Sequence, residues 1–276
     1  MGKLARLASV SNAKTDSFVY IPPKSAFGAT RILVKANIGN IKGAPVTVSM
    51  DVLGAVLRGL RRANPLARIL IIDGVTGRFS AEEVLKATGL LEIMDDNMRL
   101  ADAEAMPMGE YPNPLSDPFK FATMTAPSMF EEYDCKISVS TFKRLVQPDG
   151  QPLVLASMEN LYGLFPREHY ALPENPHERG QFLGADFVDV LRDLYFCAGR
   201  LFDGAVVDLD TILLAEDTQL NAGTSQKIGQ VVWGEDLLAV DEVACRLAEQ
   251  PVPDYIKTIT KLRETVTITG EANSGN

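Results

Sequence analysis

Cysteine and histidine are scarce in this chain of 276 residues, and their scarcity excludes several kinds of site. The cysteines Cys135, Cys197 and Cys245 are far apart and lack the C-x-x-C spacing of zinc or iron–sulfur ligation. We therefore expect buried, reduced thiols in a cytoplasmic protein, with no metal and no redox cofactor. The two histidines, His169 and His177, are a weak metal pattern, because helical ligand pairs lie four residues apart.

Positive charge and long apolar runs are also lacking. A net charge of −9 argues against a general nucleic-acid-binding or anionic-membrane surface. No apolar run approaches the length of a membrane span, and we expect no secretory signal. The turn 74–77 has neither the Gly-Lys-Ser/Thr ending of a P-loop nor the three glycines of a dinucleotide site. The expected partner is a small molecule, and the oligomeric state is left open.

Three hydrophobic runs of the chain reach a polar residue. RILVKAN ends on Lys35 and Asn37, ILIID ends on Asp73, and AVVDLD reaches Asp208. In an open parallel sheet the carboxyl ends of the strands lie along one edge, where ligands bind. The pattern predicts a polar small-molecule site at that edge.

Predicted strands alternate with predicted helices, which favours an α/β class with a Rossmann-like, mostly parallel central sheet flanked by helices. The helix over 48–63 places apolar residues at i, i+3, i+4 and i+7, and Ser80 with Glu83 forms a capping box for the next helix. The predicted strands cover residues 31–36, 69–73, 136–140, 205–209 and 230–233.

We expect one α/β domain over residues 1–270, followed by a disordered tail at 271–276. Residues 1–30 form an N-terminal arm, with a short strand at SFVYI. Residues 95–133 contain five prolines and no clear period, which is typical of a long insertion or lid beside the carboxyl edge. Residues 152–165 are interpreted as helical.

Several polar groups are candidates for binding an anion or a cation. Lys35 with Asn37 could hold a carboxylate or phosphate, although taken alone they fit a solvent-exposed lysine and a turn asparagine better. Ser140 with Lys143 could also hold an anion, and a polar loop after a strand explains them equally well. Asp73 fits a ligand site or an Asx turn. A divalent ion would need convergence of aspartates, and helix capping or turn roles compete for two of them, so we expect none; these residues are Asp208, Asp210, Asp236 and Asp241.

Taken in order, the segments LVKANIGN, ILIIDGVTG, KISVSTFKRL, MENLYGLFP, AVVDLD and WGEDLLAVDEVA resemble the family catalogued as domain of unknown function 362. The resemblance covers roughly residues 30–250. Lys35 and Asn37 match the family's Lys-Pro-Asn, with Ala36 in place of proline. Members often carry ferredoxin-type cysteine clusters, and this chain has none.

The resemblance implies further site residues. Lys143 matches a family lysine, whereas Leu145 stands where a histidine is usual. Asn160 matches an asparagine of the family, and Glu159 stands in place of the lysine that precedes it. This replacement lowers the positive charge of the site. His177 is similar to the family's later histidine, and three aspartates match family positions: Asp208, Asp236 and Asp241.

These observations predict an enzyme that transfers protons on a polar, carboxylate-bearing substrate, as a lyase, isomerase or cyclase. The predicted catalytic residues are His177, Lys143 and Asp208. The predicted substrate-binding residues are Lys35, Asn37, Asp73, Ser140, Asn160, His169, Asp236 and Asp241. The alternative is a non-catalytic ligand-binding or accessory protein of a biosynthetic complex.

Overall fold

A computed structural model describes residues 10–75, 79–147, 150–176, 178–182, 187–215 and 222–273, with side chains to residue 266. His177 and the segment 274–276 therefore lie outside the described residues. Within the described ranges, no helix is long and apolar enough to cross a membrane.

The centre of the molecule is an eight-stranded, mostly parallel sheet, as predicted. Its order is β1-β10-β9-β7-β2-β3-β4, with β8 paired antiparallel to β7. The pairs between β9, β7, β2, β3 and β4 are parallel, and β10 and β1 extend the sheet through antiparallel pairs. The strands are β1 Val10–Lys14, β2 Arg31–Ala36, β3 Arg68–Asp73, β4 Met98–Asp102, β5 Met108–Pro112, β6 Thr123–Pro127, β7 Cys135–Val146, β8 Pro152–Leu155, β9 Gly204–Leu214 and β10 Thr224–Gly234.

Helices follow the strands and cover both faces of the sheet. They are α1 Ser25–Gly28, α2 Met50–Ala63, α3 Ala81–Thr88, α4 Arg167–Tyr170, α5 Phe187–Cys197, α6 Leu237–Leu247 and α7 Asp254–Asn273. The predicted capping box at Ser80 and Glu83 is confirmed at the start of α3. The helix α7 extends to Asn273, three residues into the predicted tail.

Two hydrophobic clusters form the core, one on each face of the sheet. The apolar face of α2 packs against alternate residues of β2 and β3, such as Val34 and Ile71. The other cluster joins α5 and α6 to the opposite sides of the same strands, through Leu33 and Ile72. The expected burial of the three cysteine thiols is confirmed, and all three are free.

Several element predictions are wrong in detail. The N-terminal strand is β1, whereas SFVYI only begins in a 3₁₀ turn and forms no strand. Asp208 lies within β9 and does not end it, because the strand continues to Leu214. Ser140 and Lys143 lie inside the long strand β7 and do not follow it. Residues 152–165 contain β8 and a 3₁₀ segment, Glu159–Leu164, where a helix was predicted.

The predicted insertion at 95–133 is more regular than its prolines indicate. It begins with β4, which belongs to the main sheet beside β3. The rest contains the two-stranded antiparallel sheet of β5 and β6. Asp193 of α5 accepts hydrogen bonds from the backbone N–H groups of Phe119, Lys120 and Phe121, so one buried carboxylate holds the loop between these strands.

Candidate functional site at the carboxyl edge of the sheet

Five charged side chains converge at the carboxyl ends of β2 and β3, and we name them the ion cluster. The Lys35 ammonium lies 2.7 Å from Asp73 Oδ1, and both side chains are buried. The 3₁₀ segment after β8 covers this pair and supplies Glu159. The members are Lys35, Asp73, Lys143, Glu159 and Arg179, and the charges of the other four act on Glu159.

Asp73 is held by backbone groups as well as by Lys35. Its Oδ2 accepts hydrogen bonds from the N–H groups of Ile38, at 2.8 Å, and Gly39, at 2.6 Å. Its Oδ1 accepts one from the N–H of Gly74 at 2.8 Å. The turns after β2 and β3 are thus tied to one carboxylate, which keeps the charged pair rigid.

Asn160 connects the lysine to the neighbouring strand β7. Lys35 Nζ donates to Asn160 Oδ1 at 2.8 Å. Asn160 Nδ2 donates to the Lys35 carbonyl at 3.0 Å and to Ser138 Oγ at 2.9 Å. A single amide therefore joins β2, β7 and the 3₁₀ segment, and its orientation follows from its donors and acceptors.

Lys143 differs from the other buried charges because no described residue neutralises it directly. Its side chain is 7% exposed, yet its ammonium makes no hydrogen bond or ion pair with any described residue. Burial lowers the pKa of Lys143, and the more distant carboxylates of Glu159 and Asp73 oppose that effect. An ammonium without a partner at the end of a buried side chain is unfavourable, so this position is suited to an anionic ligand.

Glu159, in the covering segment, is the carboxylate with the largest electrostatic effect on Lys143. Burial raises the pKa of this carboxyl group, and the positive charges of Lys143 and Lys35 partly offset the rise. Burial lowers the pKa of Lys35, against the effect of Asp73. The cluster therefore contains an acid and amines whose pKa values are displaced towards each other, which is typical of proton-transfer sites.

Arg179 closes the cluster from the loop that precedes α5. Its Nη2 lies 2.8 Å from Glu104 Oε1, and its Nε donates to the Phe165 carbonyl. The guanidinium also lies over the ring of Tyr162, 5.0 Å from the centroid. Burial lowers the pKa of Arg179.

The turn that contains Gly74 and the segment that contains Gly163 pack closely against each other at the ion cluster. A methyl group on Gly74 would lie inside the contact distance of the Gly163 carbonyl, and 2.8 Å from Arg179 Nη2. A methyl group on Gly163 would lie 2.6 Å from Asp73 Oδ1. Glycine is therefore required at both positions for the two turns to meet.

The structure brings together four of the predicted site residues: Lys35, Asp73, Lys143 and Asn160. Ser140 is two residues from Ser138 on the same side of β7, and its buried hydroxyl has no hydrogen-bond partner among the described residues. Asn37 follows β2 directly, and its side chain makes no hydrogen bond with described residues. His177, the predicted acid–base residue, lies outside the described part of the chain.

The other predicted site residues lie outside the ion cluster. Asp208 Oδ2 accepts hydrogen bonds from the Ser49 hydroxyl at 2.6 Å and from the Ser49 N–H at 3.0 Å. Asp236 caps α6, as its sequence position indicates, and pairs with Arg263. His169 is exposed and belongs to the short helix α4.

Asp241 contacts the site indirectly. It is fully buried in α6, and its two oxygens accept hydrogen bonds from the N–H groups of Ser157 and Met158, each at 2.9 Å. These residues immediately precede Glu159 and Asn160. Burial raises the pKa of Asp241 to about 6, against these hydrogen bonds. Asp241 therefore positions the segment that carries two site residues.

The sequence reasoning missed three participants. Glu159 was noticed only as a replacement for a family lysine, whereas Glu104 and Arg179 were not candidates at all. Glu104 lies in the predicted insertion, and Arg179 lies where no strand or helix is predicted, so no period marks either side chain. In the described ranges, no group of three or more His, Cys, Asp or Glu side chains is arranged to hold a metal ion.

Comparison with known proteins confirms the family resemblance. The family model described as "Domain of unknown function (DUF362)" matches residues 32–246, which is most of the chain. No curated protein matches the chain.

One solved structure with a similar fold is the lactate racemase apoprotein from Thermoanaerobacterium thermosaccharolyticum. The match has a TM-score of 0.46 and 11% sequence identity, and covers 80% of this chain and 49% of that one. This chain thus spans about half the length of the racemase. So distant a likeness assigns no activity.

Proposed function

The chain belongs to the domain of unknown function 362 family, and we propose that it is a small-molecule enzyme for a polar, carboxylate-bearing substrate. The proposed chemistry is redox-independent proton transfer, of the kind that lyases, isomerases and cyclases use. The observation that carries the proposal is the buried Lys143 side chain, whose ammonium has no hydrogen bond or ion pair among the described residues. Such a charge is unfavourable unless a bound anion neutralises it.

Lys143 and Ser140 are proposed to hold the substrate carboxylate. An ammonium and a hydroxyl donor suit a carboxylate, and the Ser140 hydroxyl also has no hydrogen-bond partner in the described part of the chain. Lys35 is less suited to this role, because Asp73 and Asn160 already occupy its donors. Its proposed role is to fix the shape and charge of the site.

Glu159 is proposed to carry the proton. Its raised pKa lets it hold a proton nearer neutral pH than an exposed glutamate does. Lys143, whose charge acts on Glu159, would stabilise negative charge that develops on the substrate when a proton is removed. His177 is the proposed second proton carrier, on the family resemblance alone.

Proton exchange in heavy water tests this function without knowledge of the product. The protein is incubated with a panel of hydroxy- and keto-carboxylates in D₂O, and NMR follows deuterium incorporation at carbon. We expect exchange in at least one carboxylate. The exchange is lost in Lys143→Met and in Glu159→Gln, and it is retained in Arg246→Gln, a control on the exposed side of α6.

The second candidate is a non-catalytic binding protein. It is favoured by the closure of the ion cluster, whose Lys35 and Asp73 side chains are only 1% and 8% exposed. A carboxylate that raises the Tm but shows no deuterium exchange, with the Tm rise lost in Lys143→Met, would establish binding in place of catalysis. The variant His177→Asn then separates two roles of this histidine: a role in exchange lowers deuterium exchange at unchanged Tm, and a role in folding lowers the Tm.

A further inference from the structure

An open cleft of about 500 Å³ lies at the amino edge of the sheet, at the other end of β2 and β3 from the ion cluster. It lies beside the first residues of these strands and of β4. The polar residues that line it are Arg31, Arg68, Arg99, Asp96, Asn97 and Tyr133. Three guanidinium groups and one carboxylate thus face one cleft in a protein whose net charge is −9.

The three arginines differ in how many of their hydrogen-bond donors are already used. Arg31 Nη1 lies 2.6 Å from Glu132, which neutralises it. Arg99 Nη1 donates to the backbone carbonyls of Asp96, at 3.0 Å, and Met98, at 2.8 Å. Arg68 makes no side-chain hydrogen bond or ion pair with any described residue. Its guanidinium therefore has all its donors available.

The strand register places two of these charges side by side. Arg31 and Arg68 are direct partners in the parallel pair of β2 and β3. Neighbouring strands are about 4.8 Å apart, so paired residues point to the same face. Because Glu132 already pairs with Arg31, the charge of this register pair that has no described partner is that of Arg68, and the remaining donors of Arg31 lie beside it.

We propose that this cleft binds a phosphorylated small molecule, with Arg68 as the principal ligand. The planar fork of a guanidinium matches the oxygens of a phosphate, and it remains charged at every physiological pH. The volume lies within the range of small-molecule sites, about 300–1,000 Å³. Asn97 adds an amide donor, and Tyr133 adds an aromatic wall.

Phosphate is preferred to carboxylate because the charge is presented by arginines from adjacent strands. A phosphate has three or more acceptor oxygens and can bridge two guanidinium groups, whereas a single carboxylate is satisfied by one fork. The site lies at the edge opposite the ion cluster and shares none of its residues. The inference is therefore independent of the proposed enzymatic function.

Calorimetric titration with inorganic pyrophosphate tests the proposal on the full chain. We expect saturable binding by the native protein and a rise in Tm beyond that given by sodium chloride at equal ionic strength. Arg68→Gln weakens this binding about tenfold or more, as loss of a charge-assisted hydrogen bond predicts. Because Arg68 is exposed and has no side-chain partner within the described ranges, the variant keeps its native fold and Tm.

The matched control is Arg62→Gln, which removes an exposed arginine of α2 that does not line the cleft. It binds pyrophosphate as the native protein does. Equal affinity of native protein and Arg68→Gln overturns the proposal, and so does the absence of saturable binding. Citrate that binds as tightly as pyrophosphate overturns the assignment to phosphate.

Discussion

Lys35 and Lys143 lie in the same ion cluster but differ in what neutralises them. Lys35 is paired with Asp73 at 2.7 Å, whereas Lys143 has no such partner among the described residues. Lys35→Met leaves the Asp73 carboxylate buried and unpaired, and should lower the free energy of unfolding by about 3–5 kcal/mol. Lys143→Met breaks no ion pair with a described residue, so it should lower the free energy of unfolding by much less than Lys35→Met does.

Urea denaturation of the two variants checks this contrast. The substitutions are chemically identical and both positions are buried, so each variant is the control for the other. If both lower the free energy of unfolding by similar amounts, the Lys143 ammonium is already satisfied in the native protein. The proposed anion site would then have lost its physical basis.

Asp241 should give the protein a specific pH dependence. Burial raises its pKa from 3.8 to about 6, so the folded state binds the proton more tightly than the unfolded state. Its contribution to stability is therefore largest below pH 4 and is lost as the pH rises through about 6. The loss is about 3 kcal/mol for a shift of this size.

Urea denaturation of native protein and Asp241→Asn at pH 5 and pH 7 measures this contribution. The asparagine cannot ionise, so the native protein should lose more stability between these pH values than the variant does. Glu159 and Asp208 also have raised pKa values, and the comparison with the variant removes their contribution. Equal pH slopes in both proteins would contradict the assignment to Asp241.

The turn after β3 and the 3₁₀ segment meet without room for a side chain. Gly74→Ala forces the Gly163 carbonyl and Arg179 apart, and should lower the free energy of unfolding by about 2–3 kcal/mol. Gly28→Ala is the control, because a methyl group there meets nothing within 4 Å. Thermal denaturation of both variants measures the difference. A neutral Gly74→Ala would show that the covering segment can move away from β3.

At the level of elements, the sequence predicted what depends on local pattern. The strand–helix alternation and the α3 capping box follow from spacing and are confirmed. The position of Asp208 was misread because its neighbours are apolar on both sides, and a strand can continue through a buried polar residue. Ser49 satisfies this carboxylate from 159 positions away, and no local pattern reveals such a partner.

For the whole molecule, the topology of the sheet explains which parts of the site were predictable. Lys35 and Asp73 end adjacent parallel strands, so one rule about strand ends brings them together. Glu159 and Arg179 reach the same place from irregular segments over β2 and β3. Their positions follow from packing and from partners such as Asp241 and Glu104, which the sequence does not identify.

The two edges of the sheet should act as independent sites. Arg31, the register partner of Arg68, is four residues from Lys35 along β2, a separation of about 13 Å. Effects of substitutions so far apart usually add within about 0.5 kcal/mol. We therefore expect the double variant Arg68→Gln/Lys143→Met to show the sum of the single changes in unfolding free energy.

Pyrophosphate should still stabilise Lys143→Met as it stabilises the native protein. A coupling above about 1 kcal/mol, or loss of the pyrophosphate effect in Lys143→Met, would show that β2 and β3 transmit a change from one edge to the other.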